Sequence, residues 1–207
     1  MQVSARASGR RWIAAGAPEL APVHDLATAR ETIERYVPRD EAQAGARAFV
    51  LDWIDAHPDA LLRTCLAGHL TSSALVLDAA GERALLTLHA KLQRWLQLGG
   101  HCDGDANLAG SALRECTEES GIEGLAIDPD VIDLDCHRIP ARPGEPEHWH
   151  LDARFLVRAP RGAVATLSAE SKELHWFRAD ELGKIETDDS VRRLFALASA
   201  DRHARAT

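Results

Sequence analysis

The stretch from Asn107 to Gly121 constrains this 207-residue chain more than any other. Asn107 is a good N-cap, because its side-chain oxygen accepts from the free amides of a first helical turn. Leu108, Ala109, Ala112, Leu113 and Cys116 then recur as one stripe, so one face of a helix over Asn107 to Ser120 packs on the protein. Gly121 suits the position just past a helix end, where the backbone turns left-handed. Glu115, Glu118 and Glu119 fall at i, i+3 and i+4 and leave the helix on one side. Like charges at those spacings repel by roughly 0.2–0.5 kcal/mol per pair, and the C-terminal end of the helix dipole disfavours them further. A hard divalent cation reverses both effects. Mg2+ takes oxygen ligands, keeps several waters and bridges carboxylates to substrate phosphates. Gly99 and Gly100, ahead of the helix, let backbone come close to such a cation or to a phosphate. Taken alone, the three acids read better as a solvated face. The glycines on both sides select the metal-binding reading.

The rest of the chain supplies a scaffold. Hydrophobic residues make up 45%, enough for one domain with a real core and a small extension. The formal net charge of -8 argues against a nucleic-acid partner bound by charge. Residues 1–22 are rich in Ala, Gly, Arg and Pro without a period and read as a flexible tail. A helical extension over residues 23–62 follows. Leu26, Ala29, Ile33 and Tyr36 repeat at helical spacing until Pro38, and a second helix runs from Asp40 to Ala56. Its apolar face suggests docking on the rest of the chain or on a second subunit, which leaves a homodimer open. From residue 63 to 207 strands and helices mix. Strands are expected over His69–Leu77, Arg83–His89, Val131–Ile139, His148–Arg158 and Glu173–Phe177, with short helices at Ala179–Leu182 and Asp189–Ala198. Mixed rather than strictly alternating elements favour an α/β fold with a mixed sheet flanked by helices. Cys65, Cys102, Cys116 and Cys136 form no CxxC pair, no apolar run approaches a membrane span, and the N-terminus lacks a convincing signal peptide. A cytoplasmic protein without a membrane partner is the expectation.

The segment from Gly100 to Ile122 resembles the Nudix box, G-x5-E-x7-R-E-U-x-E-E-x-G-U, where U is a bulky apolar residue. Gly100, Arg114, Glu115, Glu118, Glu119, Gly121 and Ile122 fall in register, and Cys116 takes the first U position. Ala106 stands where the family has Glu, and Asp105 or Asp103 is a candidate to compensate. The resemblance implies an α/β/α sandwich with a mixed sheet. It also implies Mg2+-dependent hydrolysis of a nucleoside diphosphate linked to another moiety, with Mn2+ as the alternative cation. By position, Glu118 and Glu119 would ligate metal, together with the Gly100 carbonyl. Glu115 would bind metal or orient and deprotonate the attacking water. Arg114 would hold the acids in place. A further acid is expected before the late Trp-containing strand, with Glu170 first and Glu173 as the alternative.

His148, His150 and Asp152 alternate along an expected strand and share a face. Such a face can ligate a transition metal, contact substrate or simply be polar. His148 and His150, with His101 after the double glycine, are carried as substrate-binding candidates. Two other functions belong to the same resemblance: a non-catalytic nucleotide or sugar-nucleotide binding module, and a diphosphate isomerase using a cysteine, for which Cys102 in a polar loop is the candidate. The retained acids favour the hydrolase.

Overall fold

Both sides of the strand from Gly68 to Leu77 are covered. Leu70, Ala74 and Val76 join one apolar cluster, whereas Leu75 joins another. The computed structural model describes residues 10–167 and 171–203. In chain order the strands are β1 (Ile13–Ala14), β2 (Gly68–Leu77), β3 (Ala84–His89), β4 (Trp95–Leu96), β5 (Leu98–His101), β6 (Ala126–Ile139), β7 (His148–Arg158) and β8 (Ser171–Phe177). The α-helices are α1 (Leu26–Arg35), α2 (Glu41–Ala56), α3 (Leu108–Ser120) and α4 (Asp189–His203). Among the described residues they form one mixed sheet of order β1-β6-β7-β2-β3-β4, with β5 also on β2 and β8 also on β3. β2 and β7 run parallel, from Gly68 opposite Trp149 to Leu77 opposite Arg158. The remaining pairings are antiparallel.

The two apolar clusters define the layers. Ala29, Ile33, Val50 and Ile54 of α1 and α2, with Leu108, Ala112 and Cys116 of α3, pack on Leu70, Ala74, Leu151 and Phe155. On the opposite side Val191, Leu194 and Phe195 of α4 pack on Leu75, Leu86 and Leu156. The result is an α/β/α sandwich with a mixed sheet. No helix among the described residues is long and apolar enough to cross a membrane.

Side-chain caps start the N-terminal helices. Asp25 accepts from the Ala27 amide at 3.0 Å, and Asp40 accepts from the Gln43 amide at 2.8 Å. The extension is then fastened to the sheet through Gln43. Its side-chain oxygen accepts from the Leu134 amide at 3.0 Å and from the Tyr36 hydroxyl at 2.7 Å, while its amide nitrogen donates to the Leu134 carbonyl at 3.0 Å. Phe49 packs edge-on against both Trp53 and Trp149.

Two expectations need correction. From Arg10 onward the stretch expected as a loose tail is docked. Ile13 and Ala14 pair with Ile127 and Ala126, and Arg10 forms an ion pair with the buried Asp128. Tail-like composition concealed this because a two-residue strand has no readable period. The strand expected from Val131 begins at Ala126 instead, and its register shifts between Asp128 and Asp133. Pro129 lies in that shift, where the ladder makes no demand on its missing amide proton.

Gln43→Ala should leave the Leu134 amide and carbonyl buried without partners. A loss of about 1–3 kcal/mol in denaturant-unfolding free energy is expected, against under ~0.5 kcal/mol for an exposed control such as Glu31→Ala.

Candidate active site

α3 is bounded as its chemistry requires. Asn107 accepts from the Gly110 amide at 3.1 Å, and Gly121 closes the helix at φ +63°. Its apolar face sits on the sheet and its acidic edge meets β5. There the Glu119 carboxylate accepts from the Gly99 amide at 3.0 Å. A side chain at Gly99 would run into the backbone of Ser73 on β2, and one at Gly100 would run into the Glu115 carboxylate. Gly99 is therefore required by its close approach to the neighbouring strand, whereas a side chain at Gly100 would displace the Glu115 carboxylate.

Arg114 braces the cluster. It pairs with Glu115, lies 3.6 Å from Glu118, and donates to the His101 carbonyl at 3.0 Å. Burial pushes the Glu115 carboxyl above its ordinary value. Arg114 opposes that shift, and the charge of Glu118 adds to it. Burial draws the Arg114 pKa down, but Glu115 and Glu118 outweigh it and the guanidinium ends above its usual value. Glu118 is the most open of the three acids whose exposure bears on the chemistry, at 61% against 15% for Glu115. Hard carboxylate donors and glycine backbone close beside them together suit a Mg2+-type cation. Glu115, Glu118, Glu119 and Gly100 are the residues that would hold it. Glu170 lies outside the described residues, and Glu173 is exposed on β8.

Ala106 is fully buried. Its amide donates to the Val23 carbonyl, and the Val23 amide donates to Asp105 at 2.9 Å. Asp105 also accepts from the Asn107 amide at 2.9 Å, and the Asn107 side chain donates to the carbonyls of Glu19 and Ala21. Residues 19–23 thus cover the start of α3, where a Glu at position 106 would need room. Asp105 accepts from two backbone amides, and Asp103 accepts from Arg63 at 2.9 Å.

The opposite side of the sheet from α3 carries a polar grid. Across β2, β7 and β6 the ladder aligns Ser73, Arg154 and Asp133, then Thr71, Asp152 and Asp135, then His69, His150 and His137. Asp152 accepts from Thr71 at 3.1 Å, from Ser73 at 2.6 Å and from Arg154 at 2.9 Å. Arg193 of α4 donates to both Asp133 and Asp135 at 2.9 Å. Burial alone would raise the Asp135 carboxyl, but His137, Arg154 and Arg193 outweigh it and hold it well below the carboxylate range. Asp133 goes the other way, because burial outweighs the same two arginines. Beyond the histidine row, His101 of β5 and His148 of β7 complete a cluster beside a pocket lined also by Arg63, Cys65, Leu66 and Glu145. Burial, helped by Arg63 and His69, lowers His101 to about 4, and burial with the surrounding histidines lowers His150 to about 2.

Sequence reasoning placed His148, His150 and Asp152 on one face, but it missed their partners on β2 and β6. The alternations His69-x-Thr71-x-Ser73 and Asp133-x-Asp135-x-His137 carried the signal. His148, His150 and His101 do come together, on the far side of β5 from the glutamates. Cys102 is 1% exposed, and burial pushes its thiol up to about 12, so the candidate for isomerase chemistry is an inert core group.

Residues 68–197 match the family described as NUDIX domain, and the chain belongs to that family. Among solved structures, a Caenorhabditis elegans Ap4A hydrolase binary complex superposes with a TM-score of 0.54 at 20% identity, covering 65% of this chain and 98% of that one. A MutT protein from Methanosarcina mazei Go1 superposes with a TM-score of 0.50 at 21% identity, covering 64% and 94%. At these identities the likeness is one of fold. No curated protein matches the chain.

The depressed Asp135 carboxyl fixes a pH dependence. A folded value below the unfolded ~3.9 adds stability that is present above about pH 4 and lost as pH falls through the folded value. Asp135→Asn should therefore lower the melting temperature at pH 7, and by less at pH 3, where the gap has begun to narrow. An equal gap at both pH values would remove the electrostatic explanation.

Proposed function

We propose that the chain is a metal-dependent pyrophosphohydrolase acting on a nucleoside diphosphate linked to another moiety. The observation that carries this reading is the meeting of Gly99 and Gly100 with Glu115 and Glu119 against a brace supplied by Arg114. Glu115, Glu118, Glu119 and the Gly100 backbone would hold the cation. Bound there, Mg2+ or Mn2+ would neutralise the diphosphate and lower the pKa of bound water.

This chain's own residues do the remaining work. Arg114 positions Glu115 and ties the helix to β5 through the His101 carbonyl. Glu115, partly buried beside Arg114, is placed either to complete the cation site or to orient and deprotonate the attacking water. Glu119 is shared between the metal site and the Gly99 amide, which fixes the glycine backbone relative to the cation. Glu118, the exposed member, supplies charge without a structural duty of that kind. The buried Cys102 removes support from an isomerase, and the intact trio of acids favours turnover over binding alone.

Two measurements test the proposal. Incubating the chain with a panel of nucleoside diphosphate derivatives and Mg2+ or Mn2+ should release phosphate or a mononucleotide; tight binding across the panel without release would identify a binding module. Glu118→Gln should cut turnover by two decades or more, roughly the loss of a ~2.7 kcal/mol transition-state interaction. Its apo melting temperature should be unchanged or slightly higher, since a like charge is gone. Mg2+ should raise the melting temperature of wild type more than that of the variant, and equal gains would take the cation away from this helix.

A further inference from the structure

The histidine cluster is not used by that chemistry, and its donors are of a different kind. Ring nitrogens of His69, His101 and His150 all lie within 4.8 Å of one another. They come from β2, β5 and β7, and the ladder opposes His69 to His150 and Thr71 to His101. Their ring centroids are 5.0–5.2 Å apart. His69 is 4% exposed, and neither of its nitrogens has a hydrogen-bond partner. The nearby Cys65 carbonyl already accepts from the Gly68 amide and meets neither nitrogen in hydrogen-bonding geometry. A buried polar group left in that state is costly.

His148 supplies a fourth nitrogen. Its Nε2 is 3.2 Å from Nε2 of His150, within hydrogen-bond distance in the metal-free chain, although His148 stands outside the trio whose nitrogens are mutually within 4.8 Å. Two imidazoles bound at ~2.0–2.1 Å to one tetrahedral cation sit about 3.3 Å apart, so the spacing fits a shared ligand. The other nitrogen of His148 meets the Pro146 carbonyl at 2.8 Å, the outer contact that fixes which nitrogen of a ligating histidine faces its metal. The pocket of about 330 Å³ beside the cluster, open mouth included, gives a cation its route in, with Glu145 on the rim.

We propose that His69, His101, His150 and His148 form a binding site for one Zn2+-class transition metal, separate from the carboxylate site on α3. Neutral imidazoles suit Zn2+, Co2+ and Ni2+, whereas Mg2+ prefers oxygen. The two sites lie back to back across β5: Gly100 faces Glu115 of α3, and the next residue, His101, faces the histidines. The metal would tie β2, β5 and β7 together and satisfy His69.

The test uses the full chain, free of any affinity tag, stripped with a chelator and titrated with Zn2+ in competition with a chromophoric chelator. One equivalent should bind with a dissociation constant below about 1 µM, in the range usual for nitrogen-ligated protein sites. His69→Ala and His150→Ala should each weaken it by roughly 100-fold or more, beyond what loss of an outer contact does. Glu118→Gln should bind Zn2+ like wild type. Binding weaker than micromolar, or binding that survives both histidine changes, overturns the proposal, as does loss of Zn2+ binding in Glu118→Gln. A second reading needs no variant. Co2+ added to the stripped wild-type chain should give the intense visible bands of four-coordinate nitrogen ligation, and the weak bands of an octahedral oxygen site would overturn the assignment.

Discussion

The site depends on one close approach. β5 lies with Gly99 against the Ser73 backbone of β2, at a distance that no side chain allows, and with Gly100 beside the Glu115 carboxylate of α3, so the strand is held between a neighbour and a helix. Everything else in the site follows from that contact. It brings the Gly99 amide to Glu119 and the His101 carbonyl to Arg114. It also turns the His101 ring to the other side of the sheet, because side chains alternate along a strand. A single four-residue strand therefore divides the glutamates of α3 from the histidines of the far face.

Much of this was legible in the sequence, for reasons that vary with the element. α3 was readable almost to the residue, because Asn107, the apolar stripe, the acids and Gly121 all state the same helix. The mixed sheet and the two N-terminal helices were readable from periodicity. What escaped was set by partners distant in sequence. The docking of residues 10–22 depends on β6, more than a hundred residues away, and the short β1 gives no pattern of its own. Asp105 looked free to serve the metal site because only the fold brings Val23 to its carboxylate. His69 looked like an ordinary strand residue because its neighbours come from β5 and β7.

The polar grid shows how the far face can be both charged and buried. Asp133, Asp135 and Asp152 are matched by Arg154 and Arg193, with Thr71, Ser73 and His137 supplying further hydrogen bonds. An unpaired carboxylate there would be far more costly than the same group at the surface. The grid also lets the sheet pass from the apolar contact with α4 to the open histidine end without exposing apolar side chains between them. Arg193 makes α4 part of that transition, since it reaches from the helix to the two acids of β6.

Residues 19–23, strapped over the start of α3, bear on the order of events in folding. The contacts that hold them join residues 82–88 positions apart, from Val23 to Asp105, from Ala21 to Asn107 and from Glu19 to Asn107. Closing so long a segment is entropically slow, and it is rewarded only once both ends rest on a formed sheet. The helix that bears the carboxylates can therefore begin to coil early, from its own sequence, but its first turn is finished only when the N-terminal segment arrives. A chain still emerging, or one half unfolded, would carry the acids without their final setting. The finished first turn of that helix then reports that residues 19–23 have docked on it, not only that one helix has formed.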